Sequence, residues 1–506
     1  LDNLITLHQR KCFLMIFYRW GDIMLQNGRK KRFFRMSFTS EKDFENELVT
    51  LLGGKGWDKK PIMYPTERVL LENWKRILYV NNNQKDRLGE YQLTDGEMAQ
   101  IIEKITELKT PYRLNGFING KTVTIKRDNL DDGLHFGKEI SLDIFDRDEI
   151  AAGRSVYQIA RQPVFHSKSK SDKDRRGDII LLINGMPVIH VELKKSGVPV
   201  SQAINQIGKY SKEGVFTGLF SLVQIFVAMT PEETLYFANP GPDADLNDKY
   251  FFHWADFNNN RMDDWRDVAS NLLSIPMAHQ LIGYYTIADR TDSVLKVMRS
   301  YQYYAARGIV SSYLDKHKDN PQRGGYVWHT TGSGKTMTSF KSAQLIANSG
   351  KVDKVLFVMD RIDLGTQSLE TYRNFANDDE DVQGTENTSI LIGKLKSSAP
   401  NDTLIVTSIQ KLSRIRKDDS CLCFADLAEI LKKRIVIIVD EAHRSTFGDE
   451  MLTIKDTFSN AVFFGFTGTP RFSDDEDSVK ETSTVFGDEI HRYLISDGIR
   501  DKNVLG

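Results

Sequence analysis

The segment "DIILLINGMPVIHVELKKSG", residues 178–197, contains two apolar runs on either side of an Asn-Gly pair at 184–185. Asn-Gly between hydrophobic runs is the strongest short-range signal for a β-hairpin. The segment also carries Asp178, Glu192 and Lys194. An ionised carboxylate is costly inside an apolar hairpin unless a nearby group compensates it. The sequence therefore predicts a core hairpin that has some reason to keep charged side chains.

The pairing register decides whether these charged residues can meet. Residues two apart on a strand share a face, so Glu192 and Lys194 point the same way. A two-residue loop would place Asp178 opposite Val191, on the wrong face, whereas a three-residue loop over 184–186 would place it opposite Glu192. A shared site thus requires the three-residue loop or a β-bulge. The alternative is an edge hairpin with a solvent-exposed Glu–Lys pair.

Asp-x(13)-Glu-x-Lys is the loose pattern of metal-dependent nucleases of the PD-(D/E)xK type. Such sites need two carboxylates on one Mg²⁺ and a lysine beside the attacking water. Downstream, "SQAINQIGKY" (201–210) places Gln206 and Tyr210 four residues apart on one face of a helix. We expect this helix to pack beside the charged site, with both side chains facing DNA rather than the core.

The composition indicates a globular protein of two or more domains, because 506 residues exceed one ordinary core. Its 68 Lys+Arg balance 69 Asp+Glu, so any DNA binding must use local basic patches. The basic stretch 166–177 is a predicted loop, either solvated or in contact with a DNA backbone. Three cysteines without disulfide or metal spacing fit a reducing cytosol. No apolar stretch reaches the ~18 residues of a membrane span, and we predict a cytoplasmic protein.

From about residue 295, short apolar runs alternate with helical stretches, and polar residues follow each run. This pattern is typical of a parallel sheet covered on both faces, in which ligands bind beyond the carboxyl ends of the strands. The predicted strands are Tyr326–Trp328, Val355–Met359, Leu404–Val406, Ile435–Val439 and Val462–Phe466.

"WHTTGSGKTMTS" (328–339) joins a predicted strand to a predicted helix and carries the core of a phosphate-binding loop. His329 stands where the strict pattern has its first glycine. Glycines let backbone N–H groups converge on phosphate oxygens, Lys335 reaches the β- and γ-phosphates, and the Thr336 hydroxyl binds Mg²⁺. The candidate ATP-binding residues here are Thr331, Gly332, Ser333, Gly334, Lys335 and Thr336.

Three further segments complete the predicted nucleotide site. "IVIIVDEAHRS" (435–445) is an apolar strand that ends in Asp440, which would hold Mg²⁺, and Glu441, which would orient the attacking water. The next predicted strand is followed by "GFTGTP", which has threonines at its tip. Upstream of the loop, Gln302 could read an adenine edge.

In this order the motifs resemble those of superfamily-two DNA translocases. "VMDRIDLGTQ" (358–367) and "VTSIQKL" (406–412) match the DNA-contacting segments of that superfamily. The resemblance implies that ATP hydrolysis is coupled to movement through His443, Thr467 and Thr469. Together with the hairpin and the Gln-xxx-Tyr pair, the chain from about Met36 resembles the restriction (R) subunit of type I restriction–modification enzymes.

That resemblance implies Mg²⁺-dependent cleavage and ATP-driven translocation of double-stranded DNA, beside methyltransferase and specificity subunits. It implies that Asp178 and Glu192 are Mg²⁺ ligands, that Lys194 is the catalytic lysine, and that Glu45 assists the metal site. One alternative is an ATP-dependent translocase whose hairpin domain is structural. Another is an assembly module that binds no ATP.

The expected architecture is α/β, a nuclease domain with a mixed sheet followed by a RecA-like domain with a parallel sheet. We place the nuclease domain at 36–235, a helical connection at 236–290 and the first motor domain at 291–506, with 1–35 as an upstream or non-native extension. A second RecA-like domain with arginine fingers is expected beyond this sequence. We therefore expect the chain alone to bind ATP·Mg²⁺ but to hydrolyse it slowly.

Overall fold

The computed structural model divides the chain into two compact units. The first comprises the described residues up to Trp254 together with Arg261–Met298, and the second comprises Ala255–Asn260 together with the described residues from Arg299 onward. The described residues are 37–150, 153–166, 174–242, 245–316, 324–359, 373, 383–385, 387–415, 424–440, 447–470 and 482–503. None of the helices within these ranges is long and apolar enough to cross a membrane.

The first unit is built around a six-stranded mixed sheet with the order β1-β4-β7-β8-β9-β10. Neighbours pair parallel in β1–β4 and β8–β9 and antiparallel elsewhere. Its strands are β1 (Ile62–Met63), β4 (Tyr157–Arg161), β7 (Ile179–Ile183), β8 (Met186–Leu193), β9 (Ile225–Met229) and β10 (Thr234–Ala238). Three two-stranded ladders accompany it: β2 (Thr122–Lys126) with β3 (Glu139–Asp143), β5 (Val164–Phe165) with β6 (Arg175–Arg176), and β11 (Thr286–Asp289) with β12 (Val294–Val297).

Helices accompany this sheet, and Ser40 caps the first of them. The Ser40 hydroxyl accepts a hydrogen bond from the Asp43 backbone N–H at 3.1 Å, and the helix buries Phe44, Leu48 and Leu52. The helices are α1 (Glu41–Gly54), α2 (Glu67–Asn81), α3 (Asp95–Leu108), α4 (Pro111–Asn119), α5 (Ser201–Lys212), α6 (Trp265–Asn271) and α7 (Ile275–Gly283).

The hairpin of β7 and β8 lies in the middle of the sheet, and every residue of both strands is buried. The predicted core hairpin is therefore confirmed, and the alternative of a solvent-exposed edge hairpin is wrong. The turn uses two residues, Asn184 and Gly185, with φ of 52° and 84°, and both occupy the left-handed region that such tight turns favour.

A β-bulge in β8 sets the register of this hairpin. Next to the turn Ile183 pairs with Met186, but further along Leu181 pairs with Ile189, so β8 contains one extra residue. The shifted register brings Asp178 opposite Glu192. The bulge is one of the two arrangements that the sequence analysis required.

The second unit is built around a seven-stranded sheet with the order β15-β16-β14-β17-β18-β13-β19, in which every neighbouring pair is parallel. All five predicted apolar runs are strands of it, which confirms the predicted parallel α/β sheet. The strands are β13 (Gly325–His329), β14 (Lys354–Met359), β15 (Gln383–Gly384), β16 (Leu404–Ser408), β17 (Ile435–Val439), β18 (Val462–Thr467) and β19 (Glu489–Tyr493). The helices are α8 (Ser300–Lys316), α9 (Lys335–Asn348), α10 (Thr388–Lys396), α11 (Ile409–Ser413), α12 (Phe424–Leu431), α13 (Phe447–Thr457), α14 (Thr482–Phe486) and α15 (Ile495–Arg500).

The short segment Ala255–Asn260 belongs to the second unit, although its neighbours on both sides in the sequence belong to the first. Asn259 Nδ2 donates a hydrogen bond to the Arg492 carbonyl at 2.9 Å, and His491 Nε2 lies 3.1 Å from the Phe257 carbonyl oxygen. The predicted boundary at 235 falls inside β10, and most of the predicted connection 236–290 lies in the first unit. The predicted domain limits stay predictions.

We expect Gly185→Ala to destabilise the protein by roughly 2–4 kcal/mol, because the cost of backbone strain and the cost of a steric clash would add together. A Cβ at this position would lie 2.9 Å from the Cα of the buried Trp74 on α2. Gly197→Ala is the matched control, since its φ is 78° but a Cβ there would meet nothing within 4 Å. Strain alone should cost about 1 kcal/mol there. Urea unfolding measures both losses, and equal losses would contradict the packing of the turn on α2.

Candidate active site

Asp178, Glu192 and Lys194 come together at the open end of the hairpin. Asp178 Oδ2 accepts a hydrogen bond from the Leu193 backbone N–H at 2.7 Å. Lys194 Nζ donates to the Leu193 carbonyl at 2.8 Å and lies 3.6 Å from Glu192 Oε1. Glu192 has no exposed surface, and Lys194 is only 8% exposed. The residue types and their placement are those of the predicted nuclease cluster, while the role of each residue stays a prediction.

The two carboxyl groups of this cluster are poorly compensated within the protein. Burial raises the pKa of Glu192 to about 8. Burial, and then the charge of Glu192, raise the pKa of Asp178 well above its usual range. Glu192 Oε1 is buried and has no hydrogen-bond partner among the described residues. Two such carboxyl groups keep a proton at neutral pH unless a cation joins them.

The oxygen atoms at this position suit a hard divalent cation. Asp178 Oδ2 accepts a hydrogen bond from the Leu193 N–H, and Lys194 Nζ lies near both the Leu193 carbonyl oxygen and Glu192 Oε1. Within the described ranges, no three His, Cys, Asp or Glu side chains are placed to hold a metal ion together. A cation here would therefore take two carboxylates, a backbone oxygen and water, which is a ligand set that Mg²⁺ accepts.

His190 is a member of the cluster that the sequence analysis missed. Its Nε2 lies 3.1 Å from Glu192 Oε2, and its ring is buried among aromatic rings that include Phe165 and Phe216. Burial lowers the pKa of His190 to about 4, so the imidazole is neutral at pH 7. The alternation of His190, Glu192 and Lys194 along one strand face was the signal that could have revealed it.

The helix α5 packs beside the cluster as predicted. Gln206 Nε2 donates to the Tyr210 hydroxyl at 2.6 Å, and that hydroxyl donates to the Arg176 carbonyl at 2.6 Å. The expectation that both side chains face DNA is wrong for Tyr210, which is 4% exposed. Tyr210 lies on the buried stripe of α5 with Ala203 and Ile207. Burial raises its pKa, so the hydroxyl stays protonated and can hold the backbone two residues before the acidic cluster.

The predicted phosphate-binding loop connects β13 to α9. Gly332 and Gly334 both have φ of 81°, and Gly334 immediately precedes the first turn of the helix, which begins at Lys335. The Ser333 hydroxyl folds the loop by donating to the Thr330 carbonyl at 2.6 Å. Backbone N–H groups at such a helix start form an anion site. Within the loop Thr331 is exposed, Thr336 is half-buried and Lys335 is buried.

Gln302 contacts this loop directly. Its Nε2 lies 3.3 Å from the carbonyl oxygens of Ser333 and Gly334, and its Oε1 accepts a hydrogen bond from the Arg299 N–H at 3.0 Å. The Tyr301 hydroxyl also donates to the Ser333 carbonyl, at 2.6 Å. Reading an adenine would require the Gln302 amide to exchange partners, so this role stays a prediction.

The topology brings the other predicted nucleotide residues to the same edge of the sheet. Strand β18 lies between β13 and β17, so Thr467 at its end is flanked by the phosphate loop and by Asp440, which follows β17. The ends of β13 and β17 are about 10 Å apart at ordinary strand spacing. The buried Thr467 hydroxyl accepts a hydrogen bond from the N–H of the exposed Thr469 at 3.1 Å.

Several predicted residues lie outside the described residues. These are Glu441, His443, the cysteines, residues 167–173 of the basic stretch and residues 360–367 of the first DNA-contacting segment. The second such segment, 406–412, is described and spans the end of β16 and the start of α11.

Comparison with protein families matches both halves of the chain. Residues 38–245 match the family model for the type I restriction enzyme R protein N terminus, and residues 301–506 match the model for the SWI2/SNF2 ATPase.

Individual relatives agree with the family models. The SauCOLORF180P type I restriction enzyme endonuclease subunit of Staphylococcus aureus (strain COL) is 35% identical over 473 residues, which are 93% of this chain and 47% of that relative. A Mycoplasma pneumoniae chain, provisionally named the C-terminal part of the MpnIIP type I restriction enzyme endonuclease subunit, is 40% identical over 210 residues. These are 40% of this chain and 99% of that one. The chain spans about half the length of its S. aureus relatives.

One solved structure is a fragment of a Vibrio vulnificus chain, provisionally named an HsdR subunit of a type I restriction enzyme. It is 19% identical to this chain, and the match covers 68% of this chain and 56% of the Vibrio chain with a TM-score of 0.29. At this TM-score the likeness carries no weight for the fold.

We expect the stability of the cation-free protein to fall as the pH rises from about 4.5 to about 8. In that window the unfolded Glu192 releases its proton while the folded one keeps it, so each pH unit costs up to about 1.4 kcal/mol. Glu192→Gln should flatten this slope and be the more stable variant at pH 8.

Urea unfolding at pH 5, 6.5 and 8 with a chelator present measures this slope. Glu47→Gln, at an exposed position of α1, is the control and should follow the parent protein. If the parent and Glu192→Gln gave parallel curves, Glu192 would not be a buried, protonated acid.

Proposed function

The chain belongs to the family of type I restriction enzyme endonuclease (R) subunits, and on this basis we propose that its first unit is a Mg²⁺-dependent DNA nuclease of the PD-(D/E)xK type. We propose that its second unit is the ATP-binding part of a DNA-translocating motor. The observation that carries the nuclease proposal is the buried pair of Asp178 and Glu192 beside Lys194. Glu192 Oε1 has no hydrogen-bond partner in the described part of the chain.

In this proposal Asp178 and Glu192 hold the cation, and His190 orients the Glu192 carboxylate. When bound, Mg²⁺ would polarise the scissile phosphate and lower the pKa of a bound water. The Lys194 ammonium now contacts the Leu193 carbonyl and Glu192. If these contacts were released, the positive charge of Lys194 could interact with the attacking water and the scissile phosphate.

The motor proposal rests on the shared sheet edge of the second unit. Lys335 and the loop N–H groups would bind the phosphates of ATP, and Thr336 with Asp440 would hold its Mg²⁺. Glu441 would orient the attacking water, and Thr467 and Thr469 with His443 would couple hydrolysis to movement. The substrate would be double-stranded DNA, and methyltransferase and specificity subunits would be the partners.

We expect Glu192→Gln and Lys194→Ala to abolish DNA cleavage by the restriction complex that contains this chain, while ATP hydrolysis continues. Loss of a cation ligand, or of the lysine that serves the attacking water, should slow cleavage by at least about 10²–10⁴-fold. Plasmid cleavage and phosphate release are measured on the same preparations. Undiminished cleavage by Glu192→Gln would favour the alternative, a translocase whose first unit is structural.

We expect Lys335→Ala to lose nucleotide affinity by at least about tenfold, because the lysine meets the phosphates by charge. Lys351→Ala, just beyond the other end of α9, is the control. Titration with a fluorescent ATP analogue compares the two variants. Equal affinity for parent and Lys335→Ala would mean that the loop does not bind nucleotide.

A further inference from the structure

Gln162 has a backbone conformation that a glutamine rarely adopts. It follows the last residue of β4 and precedes Pro163, and its φ is +49°. The left-handed region is unfavourable for residues other than glycine, and a following proline restricts the backbone further. Such a conformation persists only where the surroundings impose it, and it is commonest near functional sites.

A buried carboxylate holds the Gln162 side chain. Glu45, on α1, is 2% exposed, and its Oε2 accepts a hydrogen bond from Gln162 Nε2 at 2.9 Å. Its Oε1 accepts one from Arg161 Nε at 2.7 Å, and Arg161 Nη2 donates to Asn46 at 2.6 Å. Both Glu45 oxygens are thus engaged within the protein. Glu45 can bind a cation only by giving up these bonds.

The backbone of Gln162 holds the other end of this arrangement. Its N–H donates to the carbonyl of Asp178 at 2.7 Å, while the carboxylate of Asp178 accepts from the Leu193 N–H at the same distance. Asp178 is therefore fixed on two sides, at its main chain by Gln162 and at its side chain by β8. Gly177, just before it, has no room for a side chain, because a Cβ would lie 2.8 Å from the His190 ring.

We infer that Gln162 is a positioning residue for Asp178. Glu45, itself held by Arg161, fixes Gln162 in its left-handed conformation. The Gln162 N–H then fixes the main chain of Asp178, whose carboxylate the hairpin register brings opposite Glu192. The consequence for cation binding and cleavage rests on the proposed nuclease function, whereas the positioning of Asp178 does not. Glu45 thereby serves the acidic pair through hydrogen bonds rather than as a ligand.

Gln162→Gly separates positioning from simple structural support. Glycine relieves the backbone strain and keeps the N–H, but it removes the bond to Glu45. These effects oppose each other, so the melting temperature should stay within about 4 °C of the parent. Lys109→Gly, at a φ of 60° after the end of α3, is the matched control, because it relieves similar strain away from the cluster.

Hydrogen–deuterium exchange of the cation-free protein measures directly how firmly the Asp178 carboxylate is held. In Gln162→Gly, the Leu193 amide should exchange at least about tenfold faster, because the carboxylate that accepts its hydrogen bond is no longer fixed. The control variant should match the parent. Unchanged exchange at Leu193 in Gln162→Gly would overturn the inference, whether or not the chain proves to be a nuclease.

Calorimetric titration with Mn²⁺ measures the consequence for cation affinity. Gln162→Gly should bind Mn²⁺ about tenfold more weakly, as loss of a group that orients a metal ligand usually does. In the restriction complex its kcat for DNA cleavage should fall while KM stays constant. If Gln162→Gly bound Mn²⁺ as tightly as the parent while Glu192→Gln lost binding, the inference about Gln162 would be wrong and the proposed nuclease function would stand. If Glu192→Gln bound Mn²⁺ as tightly as the parent, the proposed nuclease function would be wrong instead.

Gln162→Asn provides a second variant should the glycine variant fold poorly. Asparagine tolerates the left-handed region better than other non-glycine residues, but its shorter side chain cannot reach Glu45. It should show the same faster exchange at Leu193 and the same weaker Mn²⁺ binding. Parent-like values for both would overturn the inference.

Discussion

The meeting of Asp178 and Glu192 depends on one extra residue, Val188, in the middle of a buried strand. Side chains alternate along a strand, so a slip of one residue exchanges its two faces. Without the bulge, Asp178 would lie opposite Val191, and its carboxylate would not face Glu192. The carbonyl of this extra residue is satisfied outside the hairpin, since it accepts a hydrogen bond from the Gln224 N–H at 2.9 Å. Val188 itself is fully buried.

The two candidate sites solve opposite electrostatic problems. At the hairpin, two buried carboxyl groups lie close together and lose their protons only at a cost in free energy, so a cation is the natural partner. At the edge of the parallel sheet, a glycine-rich turn directs backbone N–H groups and Lys335 to one point, so an anion is the natural partner. One site therefore depends on side chains and the other largely on main chain.

The sequence was sufficient for features that depend on local pattern. Apolar runs located five of the seven strands of the parallel sheet, but not β15 and β19, and not the order of the strands across the sheet. The position of the bulge was missed, although Pro187 lies directly beside it and a proline inside a central strand is typical of a bulge. Tyr210 was misplaced because a polar hydroxyl suggested exposure, whereas its spacing from Ala203 and Ile207 puts it on the buried stripe. Gln162 left no trace in the sequence, since a positive φ is a property of the folded backbone.

The segment Ala255–Asn260 has a consequence for how the two units can be taken apart. The covalent chain passes between them three times, after Trp254, after Asn260 and after Met298. No single proteolytic cut can therefore release either unit whole. A fragment that begins at Arg299 would lack the partner of the Arg492 carbonyl, and a fragment that ends at Met298 would carry that partner away with it.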